Sequence, residues 1–277
     1  MTGGLFNYID RPSPIHRLTG ATKLLCLLLW SFAAMITFDT RLLAFLSVMA
    51  ILVMVIAKIR VRDVKVLIWF SFVFLVLNNV LSYLFSPEHG VELYGSRTEI
   101  AHLFLNYYIV KEQLFYHLNL VLKYLATIPV VIIFVSTTDP SEFASSLNRI
   151  GVSYRIAYSV SLALRYIPDI QREYHDISVA QQARGLEMAS RKQSLFKRLK
   201  NASAMLFPLI ISSMDRIEII ANAMELRGFG KGRKRTWYSA RPFRAMDYIS
   251  IAICILFFAS AFVLNHINGG RYYNPFV

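Results

Sequence analysis

The amino-acid sequence predicts an all-α, polytopic membrane protein with about five transmembrane helices and a cytoplasmic pair of long amphipathic helices. Three observations predict it. The 277-residue chain is 56% hydrophobic with a mean hydropathy of +0.46, too apolar for a soluble protein of this length. Apolar runs of ~18 to 20 residues recur, and at ~1.5 Å per residue each reaches about 27 to 30 Å, enough to cross a bilayer. The long basic segment 137–247 breaks this pattern, because its apolar residues recur at three and four, the mark of one-sided helices.

In chain order, Leu5, Phe6, Tyr8 and Ile9 precede Arg11-Pro12-Ser13-Pro14-Ile15-His16-Arg17-Leu18. This stretch reads equally as a membrane-surface segment and as an irregular tail. Met1 to Gly20 holds no compact apolar stretch before a small-residue cleavage site, so no cleavable signal is expected. The first span is Ala21 to Phe38, with Lys23 near its start, and Asp39-Thr40-Arg41 turns the chain. The second span, Leu42 to Ala57, is short, with Arg41 and Lys58 placed to snorkel. Lys58, Arg60, Arg62 and Lys65 then crowd one loop. The third span is Val66 to Phe85, in which Asn78 and Asn79 are expected to bond between helices.

Ser86 to Glu112 is a loop with four acids against Arg97 and Lys111, and its aromatic-rich part, Ile100 to Val110, is expected as a half-buried interfacial helix. The fourth span is Leu114 to Val135, kinked at Pro129. The fifth is Tyr248 to Leu264, followed by a short tail ending Asn274-Pro275-Phe276-Val277. The expected domains are therefore 1–136, a membrane domain of four spans; 137–247, a cytoplasmic helical domain; and 248–277, the last span and its tail.

Charge orients the chain. Lys plus Arg is 30 and Asp plus Glu 17, a formal +13, and segment 137–247 alone holds 18 of the bases against 10 acids. The N-terminus, the Lys58–Lys65 loop and 137–247 are basic, while the Asp39 turn and the Ser86–Glu112 loop are not. Five crossings put the N-terminus and 137–247 in the cytoplasm and the C-terminus outside. In a multi-pass protein of the cell membrane this charge reads first as positive-inside bias, and no nucleic-acid partner is expected.

Segment 137–247 opens with Thr138-Asp139-Pro140-Ser141-Glu142, which has an N-cap, a first-turn proline and a capping-box acid. That helix stops at Gly151. A second starts near Ser153, carries Ile156, Val160, Leu164, Ile167, Ile170, Tyr174 and Ile177 on one face, is kinked at Pro168, and ends at Ala183-Arg184-Gly185. A polar stretch with Arg191, Lys192, Lys197, Arg198 and Lys200 follows. A third helix carries Pro208, Ile210, Met214, Ile217, Ile220 and Met224 and ends at Leu226-Arg227-Gly228. Glycine enters the left-handed region without a Cβ penalty and so stops each helix. Each arginine then sits at a helix C-terminus, where the dipole favours its charge and its fork can meet a carboxylate or carbonyls outside. The two helices are expected to pair by their apolar faces and present both Arg-Gly ends to one side.

On these residues the chain resembles the transmembrane T-component of energy-coupling factor (ECF) transporters, vitamin and metal-ion importers of the ABC superfamily. The likeness rests on Ser13 to Leu18 with Lys23-Leu24, on Thr137-Thr138-Asp139-Pro140, and on Leu164-Arg165-Tyr166-Ile167-Pro168. It rests also on Ala180-Gln181-Gln182-Ala183-Arg184-Gly185 and Ala223-Met224-Glu225-Leu226-Arg227-Gly228-Phe229-Gly230. Leu226 stands where the family often has a small or basic residue. The resemblance implies a coupling subunit with no catalytic residues, whose Ala183, Arg184, Gly185, Leu226, Arg227 and Gly228 dock on two ABC-type ATPase subunits. It implies a separate substrate-binding membrane S-component, with ATP and Mg held by the ATPases and no cofactor or metal on this chain.

The remaining residues are weighed against plainer roles. Lys123, beside His117 and Asn119 in the fourth span, reads equally as a functional charge and as a lysine satisfied inside the bundle. Arg165 and Pro168 read as structural or polar residues of the second helix. Gly230-Lys231-Gly232-Arg233-Lys234-Arg235 is a juxtamembrane basic loop and not a nucleotide loop, since no Gly-Lys-Ser/Thr follows at the required spacing. Cys26 and Cys254 lie in apolar runs, and the six histidines show no metal spacing. A self-sufficient secondary transporter is the alternative reading, but it leaves the paired Arg-Gly ends unexplained. A membrane-embedded enzyme lacks a nucleophile–base constellation.

Overall fold

The computed structural model describes residues 11–104, 107–185, 195–232, 236–238 and 240–276. The expectations for Leu5 to Ile9, for Arg191 and Lys192, and for Arg233 to Arg235 lie outside these residues, as do those for the side chains of Lys197, Arg198 and Lys200. The protein is an all-α, polytopic membrane protein. It divides into two units, one formed by the chain up to Asp139 with Arg241 onward, the other by Pro140–Ala240.

In the membrane unit, α1 (Gly20–Ile36) starts on Thr19, whose side chain accepts from the Thr22 N–H, and α2 (Thr40–Ile56) starts on Asp39, which accepts from the Arg41 N–H. Helices α3 (Lys65–Phe85), α5 (Lys111–Thr137) and α9 (Ala245–Ile267) are long and apolar enough to cross a membrane. Helices α1 and α2, at 17 residues each, are apolar but shorter, about 25 Å at the helical rise. Both are covered by neighbours, α2 by α5 and α1 by α9 and α5. Their shared core is Trp30, Ala33, Leu43, Leu46, Ala126 and Phe257, with small residues letting the backbones close in. Helix α5 runs through Pro129 unbroken, and one turn earlier the Ala126 carbonyl accepts the Trp30 indole N–H at 2.9 Å. Pro129 removes the helical donor of the Leu125 carbonyl, and the Trp30 bond falls on the carbonyl next to it.

The starts of α1 and α9 are clamped together. Asp247 accepts from the backbone N–H of Thr19 and of Arg244, both at 2.8 Å. Beside them Lys23, buried, donates from Nζ to the Thr137 carbonyl at 2.7 Å, meeting the negative end of α5.

At the opposite ends of these helices, the stretch expected as an interfacial helix is instead a hairpin after the short α4 (His89–Tyr94). Strand β1 (Glu99–Phe104) pairs antiparallel with β2 (Tyr107–Val110). The aromatic and β-branched residues that suggested a greasy helix face are also the residues that suit a strand. The hairpin is tied at its base, where Glu112 accepts from Ser96 Oγ, Thr98 Oγ1 and the Thr98 N–H. The C-terminal tail closes the same end: Phe38 N–H donates to the Arg271 carbonyl, Asn268 and Arg41 both donate to Asp39, and Phe276 rests edge-on against Tyr94.

The second unit begins with α6 (Pro140–Arg149), starting at the expected proline and ending before Gly151. Helix α7 (Tyr154–Ala183) starts on Ser153, whose side chain accepts from the Ile156 N–H, and runs through Pro168. Helix α8 (Leu195–Leu226) runs through Pro208. After α8 the chain folds back, and Trp237 Nε1 donates to Asn148 Oδ1 at 3.0 Å.

Candidate functional site

Helix α7 ends as its sequence dictates. The Arg184 N–H still bonds to the Ala180 and Gln181 carbonyls, and Gly185 then turns left-handed at φ 87° with its N–H on the Gln182 carbonyl. Ala183, Arg184 and Gly185 are all exposed. A left-handed residue with a Cβ is strained, so glycine lets the helix stop abruptly and leaves the arginine on an open end.

Helix α8 ends by the same device, more completely drawn. Gly228 has φ 66° and donates to the Glu225 carbonyl at 2.8 Å, and Phe229 donates to the Met224 carbonyl at 2.9 Å. These two bonds make a Schellman motif. Leu226 is 90% exposed, an apolar side chain of this size held in the open beside Arg227, which is exposed as well.

The structure differs from the expectation that both ends face one side. Phe229, just past the end of α8, packs against Tyr154 and Tyr158 in the first turns of α7, with ring centroids 5.7 and 4.8 Å away. Arg155 donates to the Gly230 carbonyl at 2.9 Å. The helices therefore run antiparallel, and the Arg227 tip lies by the start of α7 while Arg184 lies at its far end. At the helical rise that separation is roughly 40 Å. The short connection from Ala183 to Leu195 was the available signal, since short links between long helices join antiparallel neighbours.

Between the tips the pair is pinned by a polar contact that sequence reasoning missed. Glu173 on α7 meets Arg216 on α8, Nη2 to Oε2 at 2.5 Å, and Ser212 Oγ also donates to Glu173. Arg216 lies over the Tyr166 ring, 5.8 Å from its centroid. The signal was an acid and a base set among the apolar residues of the two facing sides. Alongside runs an apolar groove of about 580 Å³ lined by Leu162, Tyr166, Ile170, Ile217, Met224 and Phe229. Much of both helix faces stays open: Ile156 and Val179 on α7 and Ile210, Met214, Ile217 and Ile219 on α8 are each more than half exposed. That much apolar surface on paired helices calls for a covering partner or lipid.

The other singled-out residues fall elsewhere. Arg165 and Pro168 are exposed on α7. Lys123 belongs to the membrane unit, where Nζ donates to the Met35 carbonyl at 3.0 Å and sits 3.3 Å from the Phe38 ring centroid. It meets the carbonyl end of α1 and an aromatic face. Asn79, expected to bond between helices, turns back to the Leu75 carbonyl of its own helix at 2.9 Å. One turn of backbone lies within reach, whereas α3 buries no residue against its neighbours.

A family model described as cobalt transport protein, CbiQ, matches residues 11–238. Among curated proteins, the energy-coupling factor transporter transmembrane protein EcfT of Staphylococcus aureus is 26% identical over 94% of this chain and 96% of its own length. The Listeria monocytogenes protein EcfT 1 is 27% identical over 94% and 97%, and Bacillus subtilis EcfT 25% over 93% and 96%.

Proposed function

The chain belongs to the CbiQ family and is the transmembrane component of an energy-coupling factor transporter, and from that premise we propose that its two Arg-Gly helix ends are separate docking points for two ABC-type ATPase subunits. The observation that carries this is the antiparallel pairing of α7 and α8. It sets two exposed arginines, each followed by a left-handed glycine, roughly 40 Å apart. Two points so far apart suit two partner subunits better than one groove. Each arginine would meet acidic side chains or carbonyls of its ATPase, a charge-assisted contact of about 1.5–3 kcal/mol when desolvated. Leu226 and Ala183 beside them would be covered in the same contact.

In this reading the chain itself hydrolyses nothing, and ATP with Mg is bound by the ATPases. The apolar groove between α7 and α8 faces the remaining partner, a membrane S-component that holds a vitamin or another micronutrient. Closure of the ATPases moves the two tips, and the pinned helix pair passes that movement to the S-component. The chain crosses the membrane five times, with the N-terminus and 137–247 cytoplasmic and the C-terminus outside, as charge asymmetry favours.

The test is Arg184→Glu combined with Arg227→Glu. The double variant should insert as the parent does but lose ATPase subunits when purified gently from its native membrane. Undiminished ATPase recovery would defeat the assignment. A self-sufficient transporter would instead carry substrate as the purified chain alone.

A further inference from the structure

A second cavity lies in the membrane unit, at the end where α1 and α9 both begin. It has a volume of about 440 Å³, and its walls include Ser13, Arg17, Leu18, Arg244, Met246 and Asp247. Its level is fixed by the bond from the Thr19 N–H to Asp247, which joins the first residues of the two helices. Helix α9 is long and apolar enough to cross the membrane, so a cavity at its first turn opens at headgroup depth.

The charge of the cavity is positive at the mouth. Arg17 and Arg244 are both exposed there. Asp247 is buried, and its carboxylate oxygens are already taken by the backbone N–H groups of Thr19 and Arg244. Ser13 is also engaged, with Oγ 2.6 Å from His16 Nδ1. The two guanidinium forks are therefore the groups that face an incoming ligand, and guanidinium binds phosphate oxygens in pairs. Below the mouth, Met246, Ile249, Ile253 and Leu256 follow one another at three- and four-residue spacing, and each is at least 45% exposed. They form one apolar stripe that starts at the cavity wall and runs down the span.

We propose that this cavity binds the phosphate of an anionic phospholipid, with Arg17 and Arg244 on the headgroup and an acyl chain along the Met246–Leu256 stripe. A free phosphate would satisfy the arginines but would leave the stripe unused. A bound lipid here would bridge the segment before α1 to the start of α9, next to the chain's passage from the second unit into the last span.

The experiment uses the full chain in mild detergent with equal amounts of phosphatidylglycerol and phosphatidylcholine, read by native mass spectrometry. The parent chain should retain phosphatidylglycerol about tenfold over phosphatidylcholine. Arg17→Gln with Arg244→Gln should abolish that preference, while Arg17→Lys with Arg244→Lys, which keeps the charge, should retain most of it and so separate charge from misfolding. Arg60→Gln with Arg62→Gln, in the basic loop outside the cavity, should leave it intact. Equal loss in the Arg60/Arg62 variant would mean diffuse surface charge and overturn the proposal. So would displacement of the lipid by micromolar inorganic phosphate, which would assign the site to a free anion.

Discussion

At each tip one glycine ends the helix beside the arginine. Gly228 sits at φ 66° and Gly185 at φ 87°, so alanine at either position is strained by about 1 kcal/mol and favours running the helix on. Gly228→Ala should lower ATPase recovery several-fold while membrane insertion is unchanged, measured by co-purification beside the Arg227→Glu single variant. These ends were legible in the sequence because a helix stop is a local event, written in a glycine and its neighbour. Lys123 was not, because its acceptor, the Met35 carbonyl, is distant in the chain and only the packing of α1 on α5 brings it there. Asp39 has the same character. Burial raises its carboxyl, but hydrogen bonds from Arg41 and Asn268 outweigh that and hold it below the ordinary carboxylate range. A depressed carboxyl contributes stability above its unfolded value, about pH 4, which is lost as pH falls through the folded one. Asp39→Asn should therefore lower the melting temperature of the purified chain at pH 7, with the gap to the parent closing as the pH drops below about 4. A gap that is constant with pH would rule out the charged form as the source.

Among the elements, α6, α7 and α8 begin or end within a residue or two of their caps and stops, at Pro140, Ser153, Gly185 and Gly228. Their direction relative to each other is another matter. An apolar face at three- and four-residue spacing says that a helix pairs, and it is the same read up or down. The antiparallel pairing comes from Phe229 on Tyr154 and Tyr158, and from Arg155 on Gly230. A cysteine pair at Tyr158 and Phe229 should join readily with a short thiol crosslinker, and a pair at Arg184 and Arg227 should not. The reverse pattern would contradict the pairing. The hairpin Glu99–Val110 was misread for a related reason: aromatic and β-branched residues suit a strand as well as a greasy helix, and the turn chemistry there is weak. What fixes it is Glu112, which reaches back to Ser96 and Thr98 from the start of α5.

For the molecule as a whole, apolar length and charge asymmetry were enough to read a polytopic helical protein, because a long continuous apolar run in hydrocarbon satisfies its own backbone only as a helix. The surfaces proposed to work lie where those rules are silent: two exposed tips on one antiparallel pair, and the apolar groove between them. The central claim is that each tip engages its own ATPase subunit. It is tested most directly by placing a photo-crosslinking amino acid at Ala183 and at Leu226, beside each arginine, in the assembled complex. The chain carrying both should yield a product joined to two ATPase subunits, and each singly substituted chain a product joined to one. A doubly substituted chain that only ever captures one ATPase subunit would show the tips competing for a single partner and would contradict the account.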